Sequence, residues 1–440
     1  MNTSLLSLAL GLIVTTSTAN SDPLSLSRDQ AIRMAIDASE EIRIRRATIE
    51  KTEYRSMEVR ASTLPQLSAE ATWNRYIDSP RITLDMIPGS QPQEFPLKKN
   101  WEFNTGLRLT QVIWAFGKIR NAIQAADKAV AIEKLSYAAA RREVAYAASV
   151  AYDTLLFASR SLAIAEESHQ NALKNESAMK SRYTGGRLSR YENVKMAADV
   201  ASRVPHVLEA QKNVALATER LKTLLHLPST TRLILTDPLD THFPNYSLPP
   251  ARDKLASHPT LAMLETSIQL NESIVTHRKR DFLPTLSGFA SYQYGGDANA
   301  FYVGTAHMHP TFVVGLVLSL TLWDSGATWG RYQQALRDRN VSQLQYDQTQ
   351  KALTLELTSA IREYHALIET YKANTRAVEL AERSYRISLS SFSGGQLSQS
   401  QVNDAELLLT AAKLNAELTL YRIHVLKAQI QKLTSEGPPA

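Results

Sequence analysis

The sequence predicts an α+β membrane protein: four membrane-crossing strands per chain join a β-barrel shared between copies, long α-helices continue it, and the whole is laid out as two tandem structural repeats. Three observations predict it. Glycine and proline are missing from 118–184 and from 331–393. Because these residues punctuate secondary structure, each gap marks a helix on the order of 95–100 Å long at about 1.5 Å per residue. Four segments alternate apolar and polar side chains with the period of a strand. The chain also matches itself at a fixed offset, the mark of an internal duplication.

Composition narrows the field first. A chain of 440 residues, 44% hydrophobic and 21% charged, is long enough for two to four ordinary domains. Its net charge of +6 comes from 49 basic and 43 acidic residues, a mixed surface and not a nucleic-acid footprint. With no cysteine, disulfides, thiolate metal sites, cysteine nucleophiles and thiol-linked lipid are excluded. No apolar run of 18 residues inside the chain offers a membrane helix, but barrel strands bury only alternate residues and leave hydropathy nearly flat. No phosphate-binding glycine loop, HExxH pair, dinucleotide fingerprint or triad spacing occurs, so no catalytic, cofactor-binding or metal residues are expected and the chain reads as no enzyme. His307-Met308-His309 supplies two imidazoles without a third ligand and reads as loop.

The elements follow in order. Leu5–Val14 is an apolar core too short to span a bilayer, and Ser17 and Ala19 put small residues before a cut, so 1–19 reads as a signal peptide. Residues 20–226 form the first repeat: a helix, strands at about 67–78 and 101–113, a long helix 118–184 and a helix 187–226. Residues 227–250 link the halves. The second repeat, 251–436, has a helix, strands at about 286–296 and 311–322, a long helix 327–393 and a helix 396–434, and 437–440 is a short tail. Leu107–Gly117 matches Leu316–Gly326 and Tyr183–Ser189 matches Phe392–Ser398, both at an offset of 209, whereas Leu64-Pro65 matches Leu283-Pro284 at 219. The difference places an extra length in the first copy, where Pro80, Pro88, Pro92 and Pro96 predict a long loop. Val402, Ala405, Leu409, Ala412, Ala416, Thr419, Ile423, Leu426, Ile430 and Leu433 make a heptad seam along the last helix.

In the strands, Leu67, Ala69, Ala71 and Trp73 share one face, as do Trp101, Phe103, Leu107 and Leu109, and Phe312, Val314, Leu316, Leu318, Leu320 and Leu322. All five tryptophans lie in or beside these strands: Trp73, Trp101, Trp114, Trp323 and Trp329. Aromatic rings gathered at strand ends suit a membrane interface, being apolar with a polar N–H or O–H. Trp73, Trp101, Trp114 and Trp323 are therefore the expected aromatic girdle. A soluble sheet on an exported helical scaffold or interaction protein predicts the same alternation, and the tryptophans argue against it. Four strands cannot close on themselves, and an open edge in hydrocarbon leaves backbone groups unpaired at several kcal/mol each. Two copies give eight strands with a filled interior; three give twelve and a lumen.

With the exported start, the 209-residue repeat, the Leu-Pro-x-Leu strand entries, the Trp-x-x-Gly exits at 114–117 and 323–326, and the Tyr/Phe-x-Gly-Gly turns at 183–186 and 392–395, the chain resembles the TolC-like outer-membrane efflux family over nearly its whole length. That resemblance implies a homotrimer, one twelve-stranded barrel in the outer-membrane lipid and a long α-helical periplasmic barrel. It also implies a passive exit duct, with a periplasmic adaptor (membrane fusion) protein and an inner-membrane pump of RND, ABC or MFS type, serving efflux or type I secretion. The turns carrying Gly185, Gly186 and Leu188, and Gly394, Gly395 and Leu397, then mark the periplasmic tip where the adaptor docks. Beyond them Asp404, Gln401, Glu192, Arg187 and Arg190 are the gate and pore candidates. Two of the family's polar gate links fall on Phe392 and Leu397, which cannot make them. Pro205 has no counterpart at Leu414, so the halves are expected to differ in curvature there.

Overall fold

A computed structural model describes residues 23–84, 93–184, 189–246, 255, 258–302 and 308–434. The signal peptide, the tail, His307 and the turn residues Gly185, Gly186, Arg187 and Leu188 lie outside the described residues. The elements run β1 (Leu24–Leu26), α1 (Arg28–Ala38), α2 (Glu40–Ala61), β2 (Gln66–Arg75), β3 (Arg81–Leu84), β4 (Gln93–Pro96), β5 (Trp101–Trp114), α3 (Lys118–Thr184) and α4 (Arg190–Leu224). Then come β6 (Leu233–Leu235), α5 (Pro259–Lys279), β7 (Thr285–Ala298), β8 (Met308–Ser319), α6 (Ala327–Ser393) and α7 (Gln399–Leu433).

The two long helices, α3 and α6, have 67 residues each, about 100 Å of helix. Each is entered through a residue pair in the left-handed region: Phe116 (φ 48) and Gly117 (φ 75), Ser325 (φ 55) and Gly326 (φ 86). Glycine suits position 117 because its φ of 75° is one that side-chain-bearing residues adopt only with strain. The exit from α6 has a physical cause too. Gly395 (φ 78) is left-handed, its N–H donates to the Phe392 carbonyl and that of Gln396 to the Ser391 carbonyl, so a glycine ends the helix by satisfying its last carbonyls. α6 and α7 begin and end 209 residues after α3 and α4.

Several expectations are corrected. The stretch between β2 and β5, read as loop, carries the hairpin β3–β4, with Arg81 paired to Pro96 and Ile82 to Phe95. Pro96 is tolerated because it sits at the end of a two-stranded ribbon, where its missing N–H breaks no interior ladder. The first copy opens on two helices, split where Ser39 caps α2. β8 stops at Ser319, so Leu320, Leu322 and Trp323 fall outside its ladder. The helices after the tip turns start at Arg190 and Gln399 and not at 187 and 396, each behind a serine whose side chain forms a capping box. In the linker, β6 pairs in parallel with β1, Leu24 to Leu233 through Leu26 to Leu235.

The main sheet has the order β2-β5-β7-β8 and is antiparallel throughout, so the two halves of the chain meet at the β5–β7 ladder. Helices line up similarly. Near the sheet, α2, α3, α5 and α6 are successive neighbours; further along, α4, α3, α7 and α6 are. One lateral side of the chain therefore carries β2, α2 and α4, and the other carries β8 and α6. Separate apolar cores hold the layers: Ala31, Ala35, Ala148, Tyr152 and Leu221 where α1 and α4 meet α3, and Leu357, Ile361, Tyr364, Ile423 and Ile430 between α6 and α7. A third, around Tyr385, Val402 and Leu409, closes the tip of the α6–α7 pair.

Candidate functional site

Register turns four alternating strands into one surface. Leu67 opposes Leu109, Leu109 opposes Ala290 and Ala290 opposes Val314; Ala69, Leu107, Tyr292 and Phe312 form the next row on that face. The other face carries Ser68, Glu70, Thr72 and Asn74 beside Arg108, Gly106, Asn104 and Glu102, continued by Ser291 and Gln293. On β8, Phe312, Val314, Leu316 and Leu318 are each about two-thirds exposed, with Leu316 at 69%. An apolar row this open to water needs a lipid or protein cover.

Aromatic rings mark both ends of that face. Trp73 and Trp101 come together, ring centroids 6.2 Å apart, with Phe301 at 4.5 Å from Trp73 and 5.0 Å from Trp101. At the helix end Trp114 lies 6.0 Å from Phe116 and Trp329 lies 6.0 Å from Tyr332, while Trp323 is 85% exposed beyond β8. From Trp101 to Trp114 the strand runs about 43 Å, which a tilt near 45° turns into roughly 30 Å along a membrane normal. Among the described residues, no helix is long and apolar enough to cross a membrane, and no group of three metal-ligating side chains occurs. At the loop end of the polar face, Glu102 accepts hydrogen bonds from Tyr76 Oη at 2.7 Å and from Lys98 Nζ, and Asp297 accepts from the Lys99 N–H at 3.0 Å.

At the far end, the candidates separate into two groups. Glu192 and Gln401 are capping-box residues: Glu192 accepts from the Ser189 N–H at 3.1 Å, and Gln401 from the Ser398 N–H at 2.8 Å. Their side chains turn back on their own helix starts, a role readable from the Ser-x-x-Glu/Gln spacing. Asp404 and Arg190 are exposed and, among the described residues, form no ion pair. Leu397 is half-buried and Gly394 and Gly395 are exposed at the turn.

What sequence reasoning missed lies two residues beyond Asp404. Arg203 of α4 and Glu406 of α7, 5% and 1% exposed, form a buried ion pair. Arg203 Nη1 also donates to Ser168 Oγ of α3, its Nη2 bonds Asp199 at 3.2 Å, and Thr410 Oγ1 donates to Glu406 at 3.0 Å. Three helices are thus tied at one point two residues before Pro205. Nearby, Lys195 Nζ reaches Ser400 Oγ at 3.3 Å, so α4 and α7 meet again toward the tip. The available signal was Glu406 beside the seam residues Ala405 and Leu409, where an unpaired charge is rarely buried.

Comparison with known proteins decides the kinship. The profile of the outer membrane efflux protein family matches residues 31–225 and 251–435. The chain belongs to this family. As an outer membrane efflux protein it is an outer-membrane channel for efflux. Its fold is similar to that of CusC (TM-score 0.79, 16% identity, covering 94% of this chain and 93% of that one). It is also similar to the CmeC outer membrane channel of Campylobacter jejuni (TM-score 0.78, 15% identity, 98% and 93%) and to the outer membrane protein VceC of Vibrio cholerae (TM-score 0.77, 18% identity, 92% and 95%). No curated protein matches the sequence.

Proposed function

We propose that three copies of this efflux protein close into one twelve-stranded barrel and one helical tube, forming the passive, gated exit duct of a tripartite efflux or type I secretion machine. The observation that carries this reading is a four-stranded sheet with one continuous apolar face and two open edges, β2 and β8. An edge in lipid must be paired, and β2 of one copy meeting β8 of the next is a head-to-tail contact that closes as a ring. The helices support three copies. Four helices per cross-section at about 10 Å spacing give three chains a ring of about 120 Å circumference, whose bore is roughly 27 Å after subtracting a helix width of about 11 Å. Two chains leave roughly 14 Å and an eight-stranded barrel filled by its own side chains.

Trp73 and Trp101 then form the outer girdle, Trp114 and Trp323 the inner one, and the helices extend into the periplasm. The tip turns, with Gly394, Gly395 and Leu397 on one side and Gly185, Gly186 and Leu188 on the other, dock a periplasmic adaptor. An RND, ABC or MFS pump in the inner membrane supplies the energy. Asp404 lines the gate. Three copies of its carboxylate draw cations, and Arg187 and Arg190 stand in for the polar links lost at Phe392 and Leu397. Glu192 and Gln401 serve the helix starts. The buried Arg203–Glu406 pair holds α7 against α3 and α4 in the closed tip.

Native mass determination of the detergent-purified protein and single-channel recording in planar bilayers test this. Trimers that conduct support it; monomers found in the soluble periplasmic fraction overturn it. An Asp404→Ala channel should lose cation block, and unchanged current and block would remove Asp404 from the gate.

A further inference from the structure

We propose that the cleft where α1 crosses α3 and α7 is a binding site for a small oxyanion of the phosphate class. The cavity there measures about 310 Å³. Its charged lining is Arg28, Asp29, Arg142, Asp153, Lys427 and Lys432, four cations against two carboxylates. Pairing reduces this to Arg142 and Lys427 against the Asp29 carboxylate, a net excess of one positive charge. Asp153 is taken by Arg28, and Lys432 by Glu143 at 3.0 Å. Among the described residues Arg142 and Lys427 have neither a hydrogen bond nor an ion pair, and Arg142 Nη1 and Arg28 Nε are buried with no partner. Buried guanidinium nitrogens without acceptors are rare, because each forfeits its hydration.

His424 sharpens the geometry. Its Nε2 lies 2.9 Å from the Asp240 carbonyl, which can only accept, and its Nδ1 lies 3.3 Å from Arg28 Nη2, which can only donate. Both contacts are satisfied by one neutral tautomer, so the ring orients Arg28 without adding charge. The unspent donors are then the Arg142 fork, the Lys427 ammonium and Arg28 Nε, a set that matches the several oxygens of a tetrahedral dianion. Burial lowers the pKa of Arg142, consistent with a cation lacking its counter-ion. At about 310 Å³ the cavity has room for a phosphate or a small phosphomonoester. It lies between helices of one chain, away from the lateral sides carrying α2 and α4 or α6, so ring closure leaves it in place.

Calorimetric titration of the detergent-solubilised full-length protein with inorganic phosphate, at constant ionic strength with chloride as control, tests the site. Saturable binding of one phosphate per chain is expected. Arg142→Met and Lys427→Met should each weaken it roughly tenfold or more, with helical circular dichroism unchanged. Glycerol phosphate and phosphatidylglycerol vesicles distinguish a free anion from a lipid headgroup: binding of inorganic phosphate supports the site, and binding to vesicles alone overturns it. No saturable heat at tens of millimolar phosphate, or an affinity in both variants unchanged from the parent, also overturns it. If a variant misfolds, protection of the unmodified protein against thermal unfolding by phosphate but not by chloride is the second readout.

Discussion

Breaking the Arg203–Glu406 pair should be far more damaging than removing it. The two side chains are 6% and 2% exposed, so each charge depends on its partner and on Ser168, Asp199 and Thr410 for everything water would supply. Arg203→Met leaves the Glu406 carboxylate buried with Thr410 as its one remaining donor among the described residues, which is expected to destabilise by about 3–5 kcal/mol per chain. Glu406→Met leaves Arg203 with Asp199, itself 18% exposed, and belongs at the lower end of that range. The double variant Arg203→Met, Glu406→Met replaces a buried ion pair by two apolar side chains of similar reach and is expected to lie within about 1 kcal/mol of the parent. The cycle therefore predicts a coupling of roughly 5 kcal/mol or more, read from unfolding of the detergent-solubilised protein followed by helical circular dichroism. If the double variant loses the sum of the two single losses, the pair is not a coupled buried unit and the reasoning fails. Bilayer recordings add a separate reading: if the pair restrains the tip, both single variants conduct more than the parent.

Two further predictions concern the midsection and the sheet. Burial raises the pKa of Asp153 to about 6, although Arg28 pulls it down, and burial lowers that of His424 to about 4. As pH falls from 6.5 to 4, Asp153 gains stability by taking up its proton earlier than in the unfolded chain, and His424 loses stability by refusing one. Each effect is about 3 kcal/mol, so they nearly cancel. The parent's unfolding midpoint should be almost flat over that range while Asp153→Asn falls steeply; parallel curves would contradict the opposed shifts. On the sheet, Leu316→Lys puts a charge in the middle of the apolar face and should reduce stability by about 2–4 kcal/mol in lipid, whereas Thr311→Lys on the opposite face should change it little. Equal losses in a vesicle-refolding assay would mean that the face does not meet lipid.

Much of the fold was legible because its signals are local. The period of two in 66–75 and 101–114, the unbroken helical run of 118–184 and the Trp-x-x-Gly entries each depend on residues a few positions apart. The hairpin β3–β4 is not legible in the sequence because its prolines read as breakers, and Pro96 is harmless only at a ribbon's end. Glu192 and Gln401 show the opposite case: the Ser-x-x-Glu/Gln spacing is local and legible, and both side chains turn back on their own helix starts.

By itself the sequence determined the four long strands and the long helices, that each of those strands has one apolar face, and that the chain repeats. Only the tertiary structure decided that β5 joins β7 to carry one apolar face across both halves, that Arg203 meets Glu406, and that Arg28, Asp153 and His424 converge beside α7. These contacts span more than a hundred residues, and the periodicity that places a side chain on a face says nothing of which distant face it meets. A buried charge is tolerated only once its partner arrives, so such pairs become visible when the chain is folded.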